Sequence, residues 1–125
     1  MSKLYVIGTG PGDLNWLTPA AKEAINQSTD LVAYGLYLKL LGELTEGKVC
    51  HEQDLGEEIQ RAENALKLAA SGKTTSLISS GDIGIFAMAT LVFELLDTQS
   101  KPEWHDVDIQ VLPGISAMQA AASRV

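Results

Sequence analysis

A single cysteine, Cys50, among 125 residues leaves no partner for an intrachain disulfide. That excludes a cross-linked scaffold and makes a reduced, cytoplasmic setting the expectation. Histidine is nearly as scarce, with only His51 and His105 present. Cys50-His51 has no metal-ligand spacing with any other cysteine or histidine, so no zinc site is expected and His51 reads as a strand-end residue. A Ser-His-Asp triad is equally poorly supplied: Ser79, Ser80 and Ser116 lack the G-x-S-x-G elbow, and His105 lies in the polar stretch Lys101 to Asp106, expected at the surface. No apolar run reaches the ~18 residues a bilayer span needs. Met1-Ser2-Lys3 passes directly into Leu4-Tyr5-Val6-Ile7 without a signal segment, so no membrane association is expected. Basic residues are outnumbered 9 to 16, giving a net charge of −7. A polyanion is repelled at long range by such a chain, and a nucleic-acid partner is not expected. Low-complexity linkers, internal repeats and composition shifts are also missing, which leaves one compact domain over residues 1–125.

What the chain does have is three glycine-containing turns, each directly after a short apolar run. Gly8-Thr9-Gly10-Pro11-Gly12-Asp13 follows Leu4-Tyr5-Val6-Ile7, Ser80-Gly81-Asp82 follows Ser76-Leu77-Ile78-Ser79, and Pro113-Gly114-Ile115-Ser116 follows Ile109-Gln110-Val111-Leu112. Helix-like sequence comes after all three. If the strands are parallel neighbours, the three turns share one edge of one sheet, where open α/β folds bind small ligands.

The remaining elements fit that frame. Thr18 can cap a helix with Pro19 at its first position, where a missing N–H costs nothing. Ala20, Ala21, Ala24 and Ile25 form its expected apolar face, and it ends near Ser28. Leu31 to Tyr34 reads as a strand, Leu36 to Leu41 as a short helix stopped by Gly42, and Lys48 to His51 as a weak strand. Leu55 to Ala70 is the best amphipathic helix: Ile59, Ala62, Leu66 and Ala69 recur three and four apart, and Asp54, Glu57 and Glu58 put negative charge at its N-terminal end. Thr74 to Ser79 is a strand. Ile85 to Leu96 is apolar almost all round, which predicts a helix buried on more than one side. The fold class expected is α/β: a five-stranded, mostly parallel sheet with helices on both faces. Ile115, Met118, Ala121 or Ala122, and Val125 continue at helical spacing to the final residue without a stop signal, so a further segment is expected in a parent protein.

The first turn does not fit the dinucleotide fingerprint, because Asp13 stands where close helix–strand packing wants glycine and Pro11 removes a backbone N–H. It is either a plain reversal of the chain or a close backbone approach to an uncharged or cationic ligand portion such as an adenosine. Ser71-Gly72-Lys73-Thr74 imitates a triphosphate loop, but it joins a helix end to a strand start and Lys67 stands where a glycine is required. Asp82, between Gly81 and an apolar helix, either caps that helix or holds a ribose hydroxyl or offsets a sulfonium charge; the roles are not exclusive.

Taken in order, these motifs resemble the tetrapyrrole methyltransferases that use S-adenosyl-L-methionine in corrin and siroheme synthesis. Gly8 to Asp13 with Leu17-Thr18 is similar to their opening signature, Ser80-Gly81-Asp82-Ile83-Gly84-Ile85-Phe86 to their second turn, and Pro113 to Ala117 to their third. Tyr34-Gly35-Leu36-Tyr37, Glu57 to Ala62 and Ala87-Met88-Ala89 are similar to the branch that methylates precorrin-3B at C17 in cobalamin synthesis. The resemblance implies a two-domain enzyme of which residues 1–125 are the N-terminal α/β domain. It implies S-adenosyl-L-methionine as co-substrate, held by Pro11, Ser80, Gly81, Asp82, Ile85, Ser116 and Ala117. It implies a tetrapyrrole, precorrin-3B or its cobalt analogue, in a trough near Tyr34, Tyr37, Glu57 and Arg61, and a homodimer. No metal ligand and no catalytic residue carries over: siroheme-forming relatives have an aspartate after the tyrosine of strand two, and here that position is Gly35. A sibling enzyme acting on another corrin position, diphthamide or ribosomal RNA, and a non-catalytic adenosine-binding module, stay open as alternatives.

Overall fold

Residues 2–9, 17–53, 56–79, 81–99 and 101–114 are described by the computed structural model, the side chains of 81–84 excepted. Strand β1 spans Lys3–Gly8, β2 Asp30–Tyr34, β3 Val49–Gln53, β4 Thr74–Ser79 and β5 Asp108–Leu112. Helix α1 spans Pro19–Gln27, α2 Gly35–Leu41, α3 Glu58–Ala70 and α4 Gly81–Gln99. The sheet runs β3-β2-β4-β1-β5, and every neighbouring pair is parallel.

Alternation along the strands sorts the core into two layers, because successive side chains point to opposite faces. Leu4, Val6, Val32 and Leu77 meet Ala62, Ala65, Leu66 and Ala69 of α3 and Ile85, Met88 and Val92 of α4. Tyr5, Ile7, Leu31, Ala33 and Ile78 meet Ala21, Ala24 and Ile25 of α1 and Leu41 of α2. Each fully buried leucine or isoleucine contributes about 1.5–3 kcal/mol to holding these layers together.

The helix ends follow their local chemistry. Thr18 accepts from the Ala21 N–H at 3.1 Å with Pro19 in the first turn. Gly42 and Gly72 take the left-handed φ values of 52° and 99° at the ends of α2 and α3, where a Cβ would be strained.

Four details differ from the sequence expectation. Ala20 and Ile59 are exposed, and the buried stripe of α3 runs instead through Arg61, Ala62, Ala65, Leu66 and Ala69. Ile59 lies in the first turn of α3, off that stripe. Second, α4 is longer than the expected Ile85 to Leu96, running from Gly81 to Gln99; it is buried on two sides as expected, against the sheet and α3, whereas Phe86 and Phe93, seven residues apart, are 64% and 50% exposed. Helix α4 has a neighbour on one side in α3 and the sheet beneath it, and the described residues put no layer above it. Third, β3 begins and ends later than expected, at Val49 and Gln53. Finally, the polar stretch around His105 contains a buried anchor, Trp104, which joins the α3/α4 layer. The helical pattern from Ile115 to Val125 lies outside the described residues.

Candidate functional site

Because all five strands are parallel, their carboxyl ends form one edge of the sheet. There Gly8 stands opposite Ser79, and Ile7 opposite Leu112, so the three glycine turns begin side by side. The Thr9 N–H donates to the Ser79 carbonyl at 3.0 Å, tying the first turn to the end of β4. A Cβ at Gly8 would lie 2.9 Å from the backbone nitrogen of Gly114 and 3.3 Å from Cδ1 of Ile85. Glycine is therefore what lets the first and third turns touch, with the side chain of Ile85 closing the space beneath them.

Strand β1 leads into α1 on one face of the sheet and the adjacent β4 leads into α4 on the other. Chains that part in opposite directions leave a crevice between them, the position at which open α/β sheets take their ligands. Of the residues expected to hold a donor molecule there, Ile85 is fully buried under Gly8. Gly81 and Asp82 form the first turn of α4. Pro11, Ser80, Ser116 and Ala117 lie outside the described residues.

A second opening lies one strand further along. Strands β2 and β4 pair only from Asp30↔Thr75 to Val32↔Leu77, yet β2 continues to Tyr34 and β4 to Ser79. Their last two residues do not pair with each other. A cavity of about 540 Å³ lies at this split, lined by Tyr37 of α2, Glu58 and Arg61 of α3, Ser79 of β4, and Phe86 and Leu91 of α4. Such a volume is within the range of small-molecule pockets.

Two of the four expected substrate-side residues, Tyr37 and Arg61, meet in this cavity. Tyr34 packs edge-to-face on Tyr37, with ring centroids 5.7 Å apart. Glu57 precedes α3 at its N-cap position and is not part of the lining. Arg61 is buried, with Nη2 3.6 Å from Oε1 of the half-exposed Glu58. Sequence reasoning missed Phe86 and Glu58 as lining residues, and it treated Ser79 only as a poor nucleophile. The signal for Phe86 was its large aromatic ring next to a turn, hidden because the apolar pattern of α4 does not say which of its sides are covered.

At Gly35 the departure from the resembling enzymes acquires a structural reason. A Cβ at that position would collide with the carboxylate of Glu52, which reaches over from β3. A carboxylate is thus present beside the end of β2, supplied by the neighbouring strand.

The opposite, amino-terminal edge carries a polar cluster of another kind. Asp30, almost fully buried, accepts hydrogen bonds from Thr29 Oγ1 at 2.7 Å and pairs with His51 Nε2 at 2.8 Å, and Lys73 Nζ lies 3.6 Å away. Burial by itself raises the Asp30 pKa, but the hydrogen bonds from His51 and Thr29 and the Lys73 charge outweigh it and hold the carboxyl below its ordinary value. This cluster fastens β2, β3 and β4 together, away from both openings. His51 is therefore a partner of Asp30 within β3.

An all-parallel sheet with its openings at the carboxyl edge is the architecture of the open α/β domains, which take ligands at that edge. A family model, the Tetrapyrrole (Corrin/Porphyrin) Methylases, matches residues 3–125, and the chain belongs to that family. It is 39% identical over 122 residues to a precorrin-3B C(17)-methyltransferase of a Sinorhizobium species, covering 98% of this chain and 47% of that protein. It is 40% identical over 121 residues to a cobalt-factor III methyltransferase of Priestia megaterium, covering 97% of this chain and 22% of the longer relative. The crystal structure of the methyltransferase CobJ superposes with a TM-score of 0.84 at 40% identity, over 99% of this chain and 51% of that one. The chain thus spans about half the length of the Sinorhizobium relative and of CobJ, and about a fifth of the Priestia protein.

Proposed function

We propose that this chain is the N-terminal α/β domain of an S-adenosyl-L-methionine-dependent methyltransferase that methylates precorrin-3B, or its cobalt analogue, at C17 with ring contraction in cobalamin synthesis. The observation that carries the reading is the contact of the first and third turns at Gly8, beside the end of β4, in a chain about 40% identical to C17-methylating relatives. A donor whose adenosine is read by backbone fits such a place, because two turns without side chains bring N–H and C=O groups close together. Pro11, Ser80, Gly81, Asp82, Ser116 and Ala117 then hold the donor, and Ile85 supports the turns from beneath. The tetrapyrrole lies across the neighbouring opening, against Tyr34, Tyr37 and Arg61.

The donor supplies an already activated methyl group. The task left to the chain is to align the accepting carbon with that methyl, an effect worth roughly 7–11 kcal/mol in well-oriented models. A site made of turns, an aromatic pair and a buried guanidinium is suited to positioning. The reading includes a cytoplasmic setting and a homodimer, the latter checked by light scattering on the eluted protein.

Titration calorimetry of the 125-residue chain with S-adenosyl-homocysteine tests the donor site directly, and saturable one-to-one binding is expected. Methyl transfer to precorrin-3B by the protein that contains this chain tests the reaction. Donor binding without any methylated product from precorrin-3B or its cobalt analogue would point to a sibling substrate or a non-catalytic module.

A further inference from the structure

We propose that β3 is a docking edge for a second copy of this chain: two β3 strands pair antiparallel about a two-fold axis at Cys50, joining two sheets into one. This rests on the homodimer reading above and gives that dimer its surface.

Three observations converge on it. First, β3 ends the sheet, and no described strand lies beyond it. The Val49 N–H donates to the Thr29 carbonyl at 3.0 Å, so across the planar trans peptide the Lys48 carbonyl points away from the sheet. Alternate residues of the strand turn their backbone groups the same way, and Cys50 and Glu52 therefore present N–H and C=O to the open side. Such a row is a template for another strand, and β3 carries neither a proline nor a bulge to blunt it. Second, Val49 is 56% exposed, although valine is apolar and β-branched. With a two-fold at Cys50, Val49 stands against the partner's His51 and loses that exposure.

Third, charge selects both the register and the edge. About Cys50, Lys48 of each copy stands opposite the partner's Glu52 on the same sheet face, a favourable cross-strand pair at both ends of the contact. A two-fold at Glu52 sets two carboxylates against each other, and one at His51 sets Glu52 against the partner's Cys50. Lys48 Nζ is held by the carbonyls of Asn26 and Ser28 at 3.0 and 2.7 Å, so its charge is fixed beside β3 before a partner arrives. Gly47, at φ 76°, turns the chain out of the pairing just ahead of Lys48. The other edge strand has no such match: a two-fold at Gln110, the middle of β5, sets Asp108 against the partner's Leu112.

Sedimentation of the 125-residue chain is expected to show a monomer–dimer equilibrium. Lys48→Glu places like charges at both ends and is expected to weaken the dimer about tenfold, as is Glu52→Lys. Mixing the two variants restores opposite charges at both ends, so the mixture is expected to regain most of the wild-type affinity. That rescue separates a contact between copies from the loss of the hydrogen bonds Lys48 makes within its own chain, which mixing does not repair. Cys50 is the only cysteine, it is exposed, and it lies on the axis, where directly paired Cα atoms are about 5.5 Å apart. A short bis-maleimide is therefore expected to link two wild-type chains, and to link Lys48→Glu chains several-fold more slowly at the same concentration. A dimer that the charge variants leave unchanged, that mixing fails to restore, or that the bis-maleimide does not link overturns the β3 pairing and leaves the homodimer reading standing. A wild-type chain that stays monomeric at millimolar concentration overturns both.

Discussion

Replacing Gly8 with alanine adds one methyl group at the point where the first and third turns touch. The new Cβ lies 2.9 Å from the Gly114 nitrogen and 3.3 and 3.4 Å from Cδ1 and Cβ of Ile85. The nearest obstacle is backbone, and the second is fully buried, so neither can rotate out of the way. Overpacking of this kind costs roughly 1–3 kcal/mol, while removing glycine's freedom from the unfolded chain returns about 0.4–1 kcal/mol. The net loss is about 0–2.5 kcal/mol with a midpoint near 1, or a fall in Tm of roughly 3–5 °C for each kcal/mol in a domain of this size. Gly35→Ala provides the contrast. Its Cβ overlaps Glu52 more deeply, but the obstacle is the carboxylate end of an exposed side chain that can swing into solvent. Alanine also favours the helix that begins there by up to about 1 kcal/mol, so stability is expected to stay level or rise. Thermal melts of the two variants, with S-adenosyl-homocysteine titrated into each, decide the matter. Gly8→Ala at wild-type Tm and wild-type affinity would show that the two turns are not in contact and that the edge is not the donor site.

Asp30 makes stability depend on acid in a defined direction. Its folded pKa is depressed, so its contribution is present in full above its ordinary value of 3.8 and is lost as pH falls through the folded value. Asp30→Asn is expected to cost about 1–2 kcal/mol near neutrality, with the gap to wild type closing below pH 3.8 in urea unfolding. A gap that persists undiminished in acid would refute the assignment. Thr18→Ala removes the hydroxyl that accepts from the Ala21 N–H and is expected to cost about 1 kcal/mol by the same measurement; Thr18→Ser should recover most of it.

The parts of this fold that were legible in the sequence are those governed by local rules. Thr18-Pro19 announces a helix start because hydroxyl capping and a fixed proline φ act within one turn. Short apolar runs alternating with helical periods announce a parallel sheet. Cover from elsewhere in the fold is a different matter. Phe86 and Phe93 have the composition of core residues, and only the placement of other layers decides that they face outward. Trp104 is the converse case: it is embedded in a polar stretch and buried because the chain folds back over the α3/α4 layer on its way to β5. On the substrate side, Tyr37 and Arg61 were implied by the family resemblance, but Ser79 and Glu58 gain their place only through the divergence of β2 and β4, a long-range event that no local pattern encodes.

That divergence has a reason in the topology. Strand β4 sits between β2 and β1, both of which lead into helices on one face, whereas β4 itself leads into α4 on the other. The end of β4 is therefore drawn away from both neighbours at the carboxyl edge. Toward β1 the ladder resists, held to its last residue by Gly8↔Ser79 and by the Thr9–Ser79 hydrogen bond. Toward β2 there is no such tie, and pairing stops two residues short. One strand thus borders both openings: Ser79 offers its carbonyl to the turn on the β1 side and lines the cavity on the β2 side. A donor at one opening and a substrate at the other would be set relative to each other by a single residue at the end of the central strand, which is the rigidity that alignment of a methyl group requires.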